Sequence, residues 1–135
     1  LMEYWKTVVE HMMQWQALQN KEITKVDLRE QYIATQNIVI QALGRVGNYF
    51  YNNSNINMHE CIEKLDKVDW NRNARIWYLR AISETGRIIT NKKAALLIAN
   101  VLKAEMGIPL SEEEQKAEDV LQKTIGEQVG DKNGN

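Results

Sequence analysis

The densest chemistry in the chain lies in Asp69–Lys93, DWNRNARIWYLRAISETGRIITNKK. This stretch carries Arg72, Arg75, Arg80, Arg87, Lys92 and Lys93, together with Trp70 and Trp77, against one internal acid, Glu84. Cationic side chains beside aromatic rings serve either anion recognition or internal salt bridging. Lys92 and Lys93 stand where a helix is expected to begin. Cations there oppose the helix dipole, yet the free backbone N–H groups of that end favour phosphate. Three readings stay open on the residues themselves: phosphate or nucleic-acid contact, a solvated or salt-bridged surface, and the acidic face of a protein partner. Arg72, Arg75, Arg87, Lys92 and Lys93 are the candidates for phosphate contact. Arg80 is expected to be held inside, with Asp66, Asp69 or Glu84 as acids in reach.

Other constellations are weaker. His59-Glu60-Cys61 is consecutive, so on a helix the three side chains diverge, and there is no HExxH and no CxxC pair; no metal site is expected. Cys61 has Glu60 and Glu63 for neighbours rather than the bases that make a thiol reactive, so it reads as a packing residue. Glu112-Glu113-Glu114 suits the first turn of a helix and needs no catalytic explanation. No catalytic residue and no cofactor is expected, and no GxGxxG loop is present. The tryptophans could stack exposed bases. However, Trp5 lies on a helical stripe, and Trp70 and Trp77 are accompanied by Ala74 and Ala81, so core packing is the preferred reading.

The elements that must position these residues are helical. One proline in 135 residues, with abundant Ala, Leu, Gln, Glu and Lys, argues for helices throughout. The expectation is an all-α single domain over residues 1–125, a compact bundle of about six helices around a long central one, with 126–135 as a flexible tail. The first helix spans Met2–Leu18, with Trp5, Val8, Val9, Met12 and Trp15 on its apolar side. Thr24 caps the long one, about Lys25 to Tyr51, whose stripe is Leu28, Tyr32, Thr35, Val39, Ala42, Val46 and Phe50. Gly44 and Gly47 weaken it, with close approach of another helix, or a kink, as the return. Asn57 with Glu60 starts a short helix to about Leu65. Asp69 caps another, Trp70 to about Ile82. On that helix Arg75, Arg72 and Arg80 would fall near 140°, 200° and 280° at about 100° per residue, a broad arc rather than a stripe. Ser83–Thr90 is a loop. Thr90 or Asn91 caps Lys92–Met106, which is apolar almost all round, and Gly107 with Pro109 stops it. Ser111 and Glu114 form a capping box for a last helix to about Ile125.

Net charge is −1, so the chain has no bulk attraction for nucleic acid, but the charge is unevenly placed. Counting Lys and Arg against Asp and Glu, residues 1–69 carry −2, residues 70–93 carry +5 and residues 94–135 carry −4. A single cysteine excludes an internal disulfide and fits a reducing compartment, so a cytoplasmic location is expected. No apolar run is long enough for a membrane span, and Glu3, Glu10 and Gln14 interrupt any signal-peptide pattern. The opening Leu-Met-Glu suggests a piece of a longer protein.

Asp69-Trp70-Asn71-Arg72-Asn73, then Trp77, Arg80, Gly86-Arg87-Ile88, the apolar helix with Asn100, and Gly107-Ile108-Pro109-Leu110 before Ser111-Glu112-Glu113-Glu114 together resemble a known pattern. It is that of the C-terminal part of the DNA sulphur-modification repressor family, DndB. Leu28-Arg29, Tyr32-Ile33, Ala42-Leu43-Gly44 and Gly47 fit the same family, and the likeness runs over roughly Trp5–Asp119. Two positions depart from it: Ala74 stands where the family often has proline, and Leu79 where it often has glycine before the arginine. The family's Asp-Gly-Gln-His-Arg motif, from its N-terminal part, is absent, and no activity attached to it carries over.

The resemblance implies a bacterial protein linked to DNA phosphorothioate modification, associated with binding promoter DNA and repressing the modification operon. The expected function is therefore a non-catalytic DNA-binding regulatory domain. Its expected partners are DNA, through promoter or backbone phosphates, the N-terminal domain of the same protein, and a second copy in a homo-oligomer; no membrane partner is expected. The alternatives are a protein–protein interaction module that never touches DNA, and an enzyme, which would need a concave pocket with convergent polar groups.

Overall fold

The computed structural model describes residues 2–12, 33, 36–53 and 55–133, the last six for their backbone alone. Among the described residues there are five α-helices and no strand. They are α1 (Met2–Glu10), α2 (Asn37–Asn52), α3 (Met58–Glu63), α4 (Lys92–Met106) and α5 (Glu112–Asn133). Short 3-10 turns at Lys64–Lys67 and Arg75–Trp77 complete the regular structure.

The centre is a helix pair rather than one long helix: α2 and α4 pack on each other, and α5 covers α4. Val39, Ala42, Val46 and Phe50 of the expected stripe are buried on α2; Leu28, Tyr32 and Thr35 lie outside the described residues, as do Thr24 and Trp15. α2 begins at Asn37, not near Lys25. The Ile33 N–H donates to the Trp70 carbonyl at 3.0 Å, which removes it from any helical ladder, and Gln36 is an extended N-cap. α1 ends at Glu10 within its expected span, and Tyr4, Thr7 and Val8 are its buried residues, with Trp5 half-buried. Its approach to α2 is close. The Tyr4 ring lies against Gly47, where a Cβ would meet it at 2.8 Å, and Tyr4 Oη donates to the Leu43 carbonyl. Burial pushes the Tyr4 phenol well above its ordinary range.

Local signals fix several ends. Asn57 accepts from the Glu60 N–H at the start of α3, and Asn91 accepts from the Ala94 N–H at the start of α4. Gly107 closes α4 at φ 77°, the left-handed turn that glycine adopts without a Cβ clash. Ser111 and Glu114 form the reciprocal capping box: Ser111 N–H to Glu114 Oε1 at 2.9 Å, and Glu114 N–H to Ser111 Oγ at 3.2 Å. α5 continues past Ile125 to Asn133, because Gly126 and Gly130 keep helical backbone rather than turning left-handed.

The helix expected over Trp70–Ile82 is not formed. Asp69 Oδ1 accepts from the Asn71 N–H and Asn71 Oδ1 from the Asn73 N–H, two successive side-chain turns that compete with helical bonding. The 3-10 turn Arg75–Trp77 follows, then Leu79 at φ 61°, and isolated bridges join Tyr78 to Ile82 and Ile82 to Ile88. Trp70 and Trp77 nonetheless reach the core, stacked with centroids 5.4 Å apart, and Trp77 Nε1 donates to the Asp69 carbonyl.

Candidate nucleic-acid interface

Arg80 is the structural hub of the basic stretch. It is 4% exposed. Its guanidinium forms a two-pronged pair with Glu118 of α5, Nη1 to Oε2 at 2.7 Å and Nη2 to Oε1. Nη1 also donates to the Leu97 carbonyl at 2.8 Å, and Nε to the Ile76 carbonyl. This fork geometry suits a planar guanidinium and not an ammonium. Arg80 is the internal ion-pair member, as its sequence context suggested, but the bidentate partner is Glu118. Asp66 instead meets His11 at 3.3 Å, and Asp69 is engaged with the Asn71 N–H.

A second buried network lies beside it. Glu114 Oε2 accepts from Lys103 Nζ at 2.7 Å and meets Arg45 at 3.2 Å. Burial by itself would raise the Glu114 carboxyl; hydrogen bonds from Lys103, the Ser111 N–H and Arg45, with the Lys103 charge, outweigh it and lower the pKa to about 2. For Glu118, burial again raises it, while Arg80, then Asn100 and Gln122, bring it down. Asn100 Nδ2 bridges the Glu114 carbonyl and Glu118 Oε2, tying the networks together. Glu114 therefore does more than complement a helix dipole: it neutralises a buried lysine.

With Arg80 neutralised internally, as Lys103 is on α4, the other cations of the stretch stand out. Arg75, Arg87, Lys92 and Lys93 are exposed and Arg72 is half-buried. None of the five enters an ion pair among the described residues. Arg72 Nε is enclosed without a hydrogen-bond partner. The structure does not gather the five into one cleft. Lys93 lines a hollow of about 240 Å³ with Leu79, Arg80 and Val120. Arg75 lines a larger neighbouring cleft of about 650 Å³. Arg87 sits in the Ser83–Thr90 loop, its N–H held by Ser83 Oγ, and Lys92 opens α4. Because residues 70–82 are turns rather than a helix, the angular arc expected for Arg72, Arg75 and Arg80 does not apply.

Among the described residues no group of three His, Cys, Asp or Glu side chains could hold a metal ion, and His59 Nε2 meets Glu3 at 2.9 Å. Cys61 is a free, half-buried thiol packed against the core. No described helix is long and apolar enough to cross a membrane. The sequence did not flag Asn73 and Gln122 with Ile125 as lining one cleft; Gln122 and Ile125 are neighbours on α5, but Asn73 stands on the distant turn segment, and no spacing joins it to them.

Fold and charge together define a helical domain with an internally neutralised arginine hub and a solvent-facing basic segment. Residues 1–109 match the DndB family model, described as DNA-sulfur modification-associated, and the chain belongs to that family. The family places it in a DNA sulphur modification system. α5, with Glu114 and Glu118, lies beyond the matched residues. No curated protein and no solved structure matches the chain.

Proposed function

We propose that this is a non-catalytic regulatory domain that binds DNA through backbone phosphates in the bacterial cytoplasm and contributes to repression of the sulphur-modification operon. The supporting observation is that Arg72, Arg75, Arg87, Lys92 and Lys93 have no carboxylate partner among the described residues, whereas the buried cations Arg80 and Lys103 do. Cations without an ion pair among the described residues, on one 22-residue stretch of net positive charge, suit phosphate contacts. Affinity then comes from counterion release, about 0.9 in the log–log salt slope per phosphate, so four or five contacts give a slope of roughly −4. A salt titration of duplex binding by anisotropy tests this. Replacing Lys92 and Lys93 together by Glu should weaken binding and flatten the slope by about 2. Absence of duplex binding at low salt, or binding indifferent to both substitutions, sinks the proposal.

A second reading is an interaction module within the modification system, or with the rest of its own protein or a second copy. Exposed Ile76 and Val120, at 48% and 52%, favour it. The same titration separates the two, since a protein-docking role predicts no salt-dependent duplex binding.

A further inference from the structure

The cleft of about 650 Å³ between residues 73–80 and α5 sets Asn73, Ile76 and Gln122, which neither phosphate contact nor the Arg80 hub accounts for, beside Arg75 and Arg80. Its volume lies in the range of small-ligand sites. Ile76, Tyr78 and Ile125 supply apolar and aromatic surface, and Ile76 is 48% exposed. Two primary amides, Asn73 and Gln122, stand on the turn segment and on α5. Among the described residues, Gln122 makes a long contact of 3.4 Å to Glu118 Oε1. Arg75 is exposed and without an ion pair among the described residues, and Arg80 lines the cleft with its charge already met by Glu118. The cleft thus offers an arginine already paired with Glu118, apolar surface, two amides and one cation without an ion pair among the described residues.

That combination fits a nucleotide. A flat ring takes the apolar and aromatic surface, primary amides match the donor–acceptor pairs on base edges, and a single arginine takes one phosphate. An acidic peptide would call for more than one free cation. We infer that this cleft binds a nucleotide, base inward and phosphate on Arg75, supplied either by an unpaired position in a DNA strand or as a free monophosphate. Asn73 and Gln122 read the base edge. Arg75 is shared with the phosphate-contact surface, so the strand-borne form rests on the DNA-binding reading above, while the free-nucleotide form does not.

The test uses the 135-residue chain with three probes: a labelled single strand, a duplex of the same sequence, and the four deoxynucleoside monophosphates. Asn73→Leu and Gln122→Leu alter exposed positions, and circular dichroism checks that each variant folds. Each should weaken single-strand binding by about three- to tenfold, the value of one lost hydrogen bond, and leave duplex binding unchanged. Monophosphate binding weakened by the same substitutions assigns the free nucleotide as a source; strand binding without it assigns the strand. The inference is overturned if strand and monophosphates do not bind, or if both variants bind them as the parent does. Salt-dependent duplex binding with no strand or monophosphate effect leaves the DNA-binding proposal standing and removes this one. Monophosphate binding without duplex binding does the reverse.

Discussion

Arg80 and Glu118, thirty-eight residues apart, meet in a two-pronged ion pair that fastens α5 to the turn segment before α4. Arg80 is nearly sealed from solvent, and its remaining donors reach the Leu97 and Ile76 carbonyls. Removing one partner of such a pair leaves a buried charge uncompensated. Glu118→Gln should therefore destabilise the fold by roughly 3 kcal/mol, read as a lower urea midpoint. An unchanged midpoint would show that Arg80 reaches water when its partner is lost.

Acid should loosen the same region. Glu114 and Glu118 both bind their protons more weakly folded than unfolded. As pH falls, the unfolded chain takes up protons first, so the stabilisation from these carboxylates is full above the ordinary carboxylate range of about 4 to 5. It is lost progressively as pH drops toward the folded value, about 2 for Glu114. Urea midpoints across this window should fall for the parent and fall less for Glu114→Gln, which starts less stable. Parallel curves would contradict the assignment.

The two glycines of α2 should respond in opposite directions. At Gly44 an added Cβ meets nothing within 4 Å, so Gly44→Ala should stabilise by about 0.5–1 kcal/mol through helix propensity. At Gly47 the Cβ would stand 2.8 Å from the Tyr4 ring, which is buried and tethered to the Leu43 carbonyl. Gly47→Ala should cost about 1–3 kcal/mol in thermal or urea unfolding.

Leu79 holds a left-handed backbone at φ 61° while packing near Leu96, Leu97 and Leu121. The strain, about 1–2 kcal/mol, and the burial of half a leucine are of similar size. Leu79→Gly removes both and should change stability by less than about 1 kcal/mol. Leu79→Val keeps the strain, worsens it by β-branching and loses contact, and should cost about 2 kcal/mol.

Helix ends were legible where a side chain caps its own neighbourhood. Asn57, Asn91, Gly107 and the Ser111–Glu114 box all act within a few residues, so local sequence carries them. The start of α2 was not legible, because a distant carbonyl, that of Trp70, takes the Ile33 N–H. Trp70–Ile82 was misread as a helix for a related reason. Its aromatic and apolar spacing is helical, but Asp69 and Asn71 bond the backbone first and the buried tryptophan pair holds the resulting turns.

By itself the sequence determined a helical class, the basic character of residues 70–93, the internal role of Arg80 and the likeness to the family that the chain proves to belong to. These follow from composition, short-range spacing and residue chemistry. Only the tertiary structure decided that Glu118 neutralises Arg80, that Glu114 neutralises Lys103, and that Asn73, Arg75 and Gln122 share a cleft. Each joins residues on different elements, and such pairings are set by how α5 packs on α4 and on the turn segment, which no local pattern encodes.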